Sequence, residues 1–248
     1  MQTAPSFPPP KPVSEIWKPE LTRLPRLTWA RRLFRVFFRM VCRLLIVIYT
    51  RASVRGLENY PRHGPALVVI NHLGDPDAVL LLAFLPEFPE AIGKIELRYD
   101  RRLQLIVDAL GIIWVHRGLP DRRAISAALQ ALRMGKRVII APEARESASG
   151  MLEAGTNGAA FLALKAGVPI VPVTMTGTEF RIVENGMRGL RRPRVTLTIG
   201  KPYNLPELPR GPKRLGQATR IIMEALARQL PLEYRGVYGY VSEQVADG

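Results

Sequence analysis

Apolar residues recur along this chain in two rhythms. Between Trp29 and Thr50 they fall at helical spacing, with Phe34, Phe37, Phe38, Val41, Leu44, Leu45 and Ile48 gathered on one side. Arg31, Arg35, Arg39 and Arg43, four residues apart, form a companion stripe. From residue 56 to 232 short aliphatic runs alternate instead with helical segments. Runs at 66–71, 91–97, 111–116, 137–142, 168–175 and 194–200 predict strands, and stretches around 76–85, 99–109, 121–134, 157–166 and 214–230 predict helices, many bounded by Gly or Pro. This alternation predicts an α/β fold, a mostly parallel sheet flanked by helices, preceded by an amphipathic helical segment. Such folds bind ligands at the carboxyl ends of strands, which directs attention to the loops at 71–77, 117–120, 142–150 and 173–178.

The ends of the chain read differently. Residues 1–17 are rich in proline and lack a basic region followed by an apolar one, so they predict a disordered tail and not a signal peptide. Residues 18–55 hold ten basic residues and one acid. Their longest uncharged run is Leu44 to Thr50, far short of the roughly 20 apolar residues that a spanning helix needs. A helix lying in the plane of a membrane interface fits this segment, with Phe34 and Phe38 entering the lipid while Arg31, Arg35, Arg39 and Arg43 reach lipid phosphates. A helix packed on the domain with a solvated basic face fits the same pattern. Residues 56–232 then form one domain, and 233–248 a second tail.

Charge widens the choice of partner and cysteine narrows the chemistry. The 248 residues include 36 Lys and Arg against 21 Asp and Glu, a net charge of +15, which suits nucleic acid, an anionic membrane or an acidic small substrate. The aromatic residues of the basic segment lie on a helical apolar face and are not interleaved as stacking platforms, which argues against nucleic acid. Cys42 stands alone, so no intramolecular disulfide can form, and with only three histidines no metal site is expected. The phosphate-loop, GxGxxG, zinc and GxSxG patterns are all missing from the sequence, which argues against nucleotide hydrolysis, dinucleotide chemistry and a hydrolase elbow.

Three loops gather chemistry. In Asn71-His72-Leu73-Gly74-Asp75-Pro76-Asp77, Asp75 is placed to cap a helix beginning at Pro76, with Asp77 in its first turn. If the turn folds back, Asp77 can hold one imidazole nitrogen of His72 and leave the other as a base. Equally, His72 can be a loop residue and Asp77 an acid favoured at a helix N-terminus. His63 and His116 sit in poorer contexts, one in a basic proline-flanked loop and the other before Arg117 at a strand end. Gly111 to Arg117 ends a strand in a guanidinium suited to a phosphate, and Ala141 to Ser147 ends another in an acid, base, acid run. Taken singly, each of these two can be surface decoration. Arg188, Arg191, Arg192 and Arg194 read as a solvated hairpin loop or as further phosphate contacts.

Taken together, these blocks resemble the lysophospholipid and glycerophosphate acyltransferase family, whose bacterial members include the 1-acyl-sn-glycerol-3-phosphate acyltransferases. Asn71, His72 and Asp77 match its NH-x4-D motif, and Gly111 through Arg117 its second block. Lys94, Glu96 and Leu97 resemble its K-x-E-L strand, and Pro142, Glu143 and Ser147 match its third block. Val168 to Val173 matches its proline-rich fourth. The blocks keep their order across roughly residues 50 to 200. The resemblance implies an O-acyltransferase in which His72, oriented by Asp77, deprotonates a lysophospholipid hydroxyl that attacks the thioester of acyl-CoA or acyl carrier protein. It further implies that Arg117, Glu143 and Arg145 bind the acceptor, with Asn71, Lys94, Gly111 and Ser147 in support. No bound cofactor is implied, the partners being membrane, acceptor and thioester donor, and the setting the cytoplasmic face of a membrane.

Three residues depart from the pattern where the acceptor should bind. Ala144 replaces the usual glycine, Arg145 a threonine and Glu146 the usual arginine. This leaves open a different lysophospholipid, glycerol 3-phosphate, or a non-catalytic membrane-binding protein on the same scaffold.

Overall fold

The computed structural model describes residues 9–118, 120–189 and 191–241. Its centre is a seven-stranded sheet: β1 (Arg51–Arg55), β2 (Ala66–Ile70), β3 (Glu90–Lys94), β4 (Ile113–Val115), β5 (Arg137–Ile140), β6 (Ile170–Thr176) and β7 (Arg194–Ile199). The order across the sheet is β1-β7-β6-β2-β5-β3-β4, and every neighbouring pair is parallel except β6 and β7. The mostly parallel sheet expected from the alternation is therefore present.

The helices are α1 (Trp29–Tyr49), α2 (Pro76–Phe84), α3 (Gln104–Leu110), α4 (Arg122–Arg133), α5 (Asn157–Ala166), α6 (Phe180–Arg188) and α7 (Arg214–Gln229). They cover both faces of the sheet, and β2 explains how. All five of its residues are buried, and successive side chains point opposite ways. Leu67 and Val69 enter a core with α4, α5 and α7, whereas Ala66, Val68 and Ile70 enter a second core with α1 and α2. A continuous apolar run is what a central strand with two covered faces requires.

Several boundaries move. The run at 91–97 stops being strand at Lys94, after which Ile95–Tyr99 forms a 3-10 turn, and the helix expected from residue 99 starts at Gln104. Two elements were not expected: β1, whose sequence RASVR lies on the sheet edge, and α6, just ahead of the proposed hairpin. Arg192 is exposed in the loop after α6, and its guanidinium also donates to the carbonyls of Val47 and Thr50, which satisfies the C-terminal end of α1.

Residues 1–8 and 242–248 lie outside the described residues, but 9–17 pack along the domain. There Ser14 exchanges two hydrogen bonds with Arg117 and the Trp17 ring lies 4.7 Å from that of His116. At the other end Val241 is buried in the α4, α5 and α7 core, with Tyr234 and Tyr238 against it. Apolar and aromatic anchors hold both stretches.

α1 lies against α2 and α3, with Cys42 and Ile46 buried and Phe34 and Phe38 packed on the same core. Three of the four stripe arginines turn toward the domain while Arg43 stays exposed, which corrects the expected orientation. Arg35 donates to the carbonyls of Leu110 and Gly111 and to Glu90, Arg39 to those of Leu85 and Pro86, and Arg43 lies over the Phe84 ring. Arg31 donates to the carbonyl of Arg26. The exposed side carries Leu33, Val36, Phe37, Met40, Leu44 and Val47, each more than half exposed, in a single apolar stripe. Among the described residues no helix is long and apolar enough to cross a membrane.

Candidate active site

The site is assembled from loops at the carboxyl ends of β2, β3, β4 and β5. At the end of β2, Asn71 is buried and extends the strand pairing with its side chain: Nδ2 donates to the Met175 carbonyl and Oδ1 accepts from the Met175 amide. It fixes where the chain leaves the sheet.

His72 follows. Its Nδ1 lies 2.8 Å from Asp77 Oδ2, which also accepts from the amides of Leu73 and Gly74 at 2.7 and 3.2 Å. Asp77 is therefore more than an acid at a helix start, because it folds the turn between β2 and α2 back onto the imidazole. Asp75 precedes α2 but makes no side-chain cap. A ring nitrogen facing a carboxylate carries the proton, which leaves Nε2 with the lone pair in the neutral ring. The His72 side chain is 28% exposed and that of Asp77 1%. Burial disfavours the imidazolium, but the Asp77 hydrogen bond and charge, reinforced by Glu146 and Glu143, outweigh it, and the His72 pKa is raised.

Glu143 follows the end of β5. It is fully buried, and its two oxygens accept from the His72 amide at 3.2 Å and the Glu153 amide at 2.7 Å. It ties the loops after β2 and β5 together. Burial pushes its carboxyl up to about 7, against the pull of those two amides. Ser147 completes the brace, its amide donating to the His72 carbonyl at 2.7 Å.

The basic residues expected to bind an acceptor are paired with acids. Arg145 is nearly buried, held by Glu153 at 2.7 Å and by the carbonyls of Pro9 and Pro10, partners with which a phosphate would have to compete. Lys94, at the end of β3, meets Glu146 at 3.2 Å, and Arg117, after β4, meets Glu96 at 3.6 Å. Gly111 does not belong to this cluster. It closes α3 at the opposite end of β4 from Arg117, with φ +72°, and a Cβ there would come within 3.2 Å of Pro25. A cavity of about 590 Å³ near that end is lined by Arg23, Arg26, Arg31, Arg98 and Trp114 and contains neither His72 nor Asp77.

One feature of the sequence went unread. His116 and Asp121 repeat the spacing of His72 and Asp77, and the structure repeats the bond, with His116 Nδ1 2.8 Å from Asp121 Oδ2. Here, however, the ring is 2% exposed and Nε2 accepts the Lys18 amide at 3.0 Å, while Asp121 Oδ1 caps α4. The same spacing leaves a partly exposed imidazole in one place and a sealed one in the other.

A family model described as Acyltransferase matches residues 51–176, just over half of the chain and the whole span from β1 to β6. The chain belongs to the acyltransferase family. The family region holds His72, Asp77, Arg117 and Glu143. Among characterised relatives, the chloroplast 1-acyl-sn-glycerol-3-phosphate acyltransferase LPAT1 of Arabidopsis thaliana is 29% identical over 179 residues, covering 70% of this chain and 50% of that protein. The 1-acyl-sn-glycerol-3-phosphate acyltransferase alpha of Mus musculus is 32% identical over 137 residues, covering 52% and 46%. The chain thus spans about half the length of these relatives. The crystal structure of the 1-acyl-sn-glycerophosphate acyltransferase PlsC from Thermotoga maritima shares the fold, with a TM-score of 0.62, 23% identity and 80% of each chain covered.

Proposed function

We propose that this chain transfers an acyl group from a thioester, acyl-CoA or acyl carrier protein, to the hydroxyl of a lysophospholipid. The foremost acceptor is 1-acyl-glycerol-3-phosphate, which would give phosphatidic acid, as the names of the relatives suggest. The observation that carries the reading is the His72–Asp77 pair, bonded at 2.8 Å with the ring partly open to solvent, at the end of the central parallel strand. In the reaction, Nε2 takes the proton of the acceptor hydroxyl as its oxygen forms a bond to the thioester carbonyl carbon. The tetrahedral oxyanion collapses, the carbon–sulfur bond breaks, and the imidazolium returns its proton to the departing thiolate. Arg117, partly exposed like its partner Glu96, is the proposed contact for acceptor phosphate.

The membrane partner is proposed on a corrected footing. The exposed stripe Leu33, Val36, Phe37, Met40, Leu44 and Val47 supports α1 lying in the interface, and the net charge of +15 supports an anionic leaflet, hence the cytoplasmic face as a peripheral or monotopic protein. The test is donor-dependent thiol release in mixed micelles, scanned over lysophosphatidic acid, glycerol 3-phosphate and other lysophospholipids. Acceptor-dependent turnover is expected, falling about 100-fold or more in His72→Ala. Turnover that survives His72→Ala would overturn the mechanism.

A further inference from the structure

Residues 9–18 form a strap across the carboxyl rim of the sheet. It begins on the loop after β5, where Arg145 Nη1 donates to the Pro9 and Pro10 carbonyls at 2.7 and 3.3 Å and Lys11 Nζ donates to the Ala154 carbonyl at 2.7 Å. It ends on the loop after β4. There the Ser14 amide donates to the Arg117 carbonyl at 3.0 Å, Ser14 Oγ accepts the Arg117 amide at 2.8 Å, and the Lys18 amide reaches His116 Nε2. Val13 fills the space left by the missing side chain of Gly118, where a Cβ would come 2.7 Å from its methyl groups. In the sheet β3 lies between β5 and β4, so the strap bridges the end of the strand that carries Lys94 and leads into Glu96.

An acceptor with a phosphate monoester brings up to two negative charges, more than Arg117, itself partly balanced by Glu96, can offset alone. At this rim Lys94 faces Glu146, Arg117 faces Glu96 and Arg145 faces Glu153. Lys11 differs, since its ammonium is held by a main-chain carbonyl, and among the described residues no carboxylate lies within ion-pair distance of it. It is also linked to the base, because Glu143 joins the amides of His72 and Glu153 and Lys11 is bonded to the residue after Glu153. Partial burial lowers the ammonium's pKa, Glu143 and Glu153 opposing this and Arg145 adding to it. Lys11 is nonetheless exposed at the surface, so a phosphate arriving from solvent can reach its ammonium.

We propose that Lys11 is an acceptor-binding residue, its ammonium leaving the Ala154 carbonyl to bind the phosphate monoester of the lysophospholipid, with residues 9–18 as the strap that delivers it. This rests on the acyltransferase reading and adds the residue that selects the acceptor headgroup. The experiment uses Lys11→Ala and Lys11→Arg in the full chain, each checked for an unchanged melting temperature. Kinetics are measured with lysophosphatidic acid and with 1-acylglycerol, which lacks the phosphate. Equilibrium binding of lysophosphatidic acid is measured in parallel on protein carrying His72→Ala.

Lys11→Ala is expected to raise KM for lysophosphatidic acid and to weaken its binding by about 10-fold or more, as for a lost charge-assisted hydrogen bond. The donor KM, kcat and the 1-acylglycerol kinetics stay within about twofold, and Lys11→Arg restores most of the loss. Unchanged binding and KM, parallel losses for both acceptors, or no lysophosphatidic acid binding by the unsubstituted chain would each overturn the proposal. Lys11-dependent binding without turnover of any acceptor would uphold the phosphate contact and overturn the acyltransferase reading instead.

Discussion

One oxygen of Asp77 receives three donors, the His72 ring and the amides of Leu73 and Gly74, so the same carboxylate that orients the base also folds its loop. With a raised His72 pKa, protonation silences the base at a higher pH than it would an ordinary imidazole. The acid limb of log kcat/KM is therefore expected above the usual imidazole range. Asp77→Asn should move that limb downward as well as reduce the rate, which a pH series on both proteins would measure. Glu143 gives a second pH signature, in stability. Its carboxyl is raised from 4.5 to about 7, so the folded state holds a proton that the unfolded state releases. This contribution is complete below pH 4.5 and is lost as pH climbs through about 7, which urea titrations across that window would record as declining stability. Ala144 offers a third handle. It stands where the resembled family keeps glycine and has φ +60°, a left-handed conformation that a side chain disfavours. Ala144→Gly should stabilise the protein by about 1 kcal/mol in chemical denaturation, the relief of strain exceeding the entropy gained by the unfolded chain.

At the scale of elements, α1 separates two roles that look alike in sequence. Its inward arginines satisfy carbonyls and Glu90, and its outward apolar stripe is exposed. Arg35→Ala should cost roughly 2–4 kcal/mol of stability, since Glu90 keeps only Lys136 as an ionic partner, with vesicle binding per folded molecule unchanged. Phe37→Asp with Met40→Asp should instead leave the fold intact and weaken vesicle flotation at least about 10-fold. Periodicity located this helix because 3.6-residue spacing is a local property. It did not orient the helix, because Phe34 and Phe37 are equally apolar and only the position of α2 decides which is covered. β1 escaped notice for a related reason: RASVR has no apolar run, and its pairing with β7 is supplied by residues more than a hundred positions away. The central strands were readable because burial on both faces leaves an uninterrupted aliphatic signature. In the site, His72 and Asp77 were readable from a short spacing, whereas the pairing of Arg145 with Glu153 and of Lys94 with Glu146 depends on how separate loops meet.

The whole molecule places its chemistry on one rim of the sheet and its apolar helix face along one side. Its net charge of +15 is long-ranged and screened by salt, unlike the apolar contact. Binding to anionic vesicles should therefore weaken as salt rises from about 0.1 M to about 1 M, where the screening length falls from about 10 to 3 Å, while binding to neutral vesicles holds steady. A co-sedimentation series with both vesicle types measures the difference. The charge was legible from composition alone, whereas the preference for lipid over nucleic acid came from where the aromatic residues fall in the basic segment, and the exposed stripe on α1 adds support to it.

The paired histidines also bear on how variants of this chain should be screened. Replacing His116 removes a buried strut with the same chemical formula and the same aspartate spacing as the base, so a survey that scores only total activity would rank the two positions together. Dividing activity by the amount of soluble protein separates them, with His116→Ala failing through yield and His72→Ala through turnover. The chain thus contains its own control for what an imidazole contributes to chemistry, apart from what it contributes to folding.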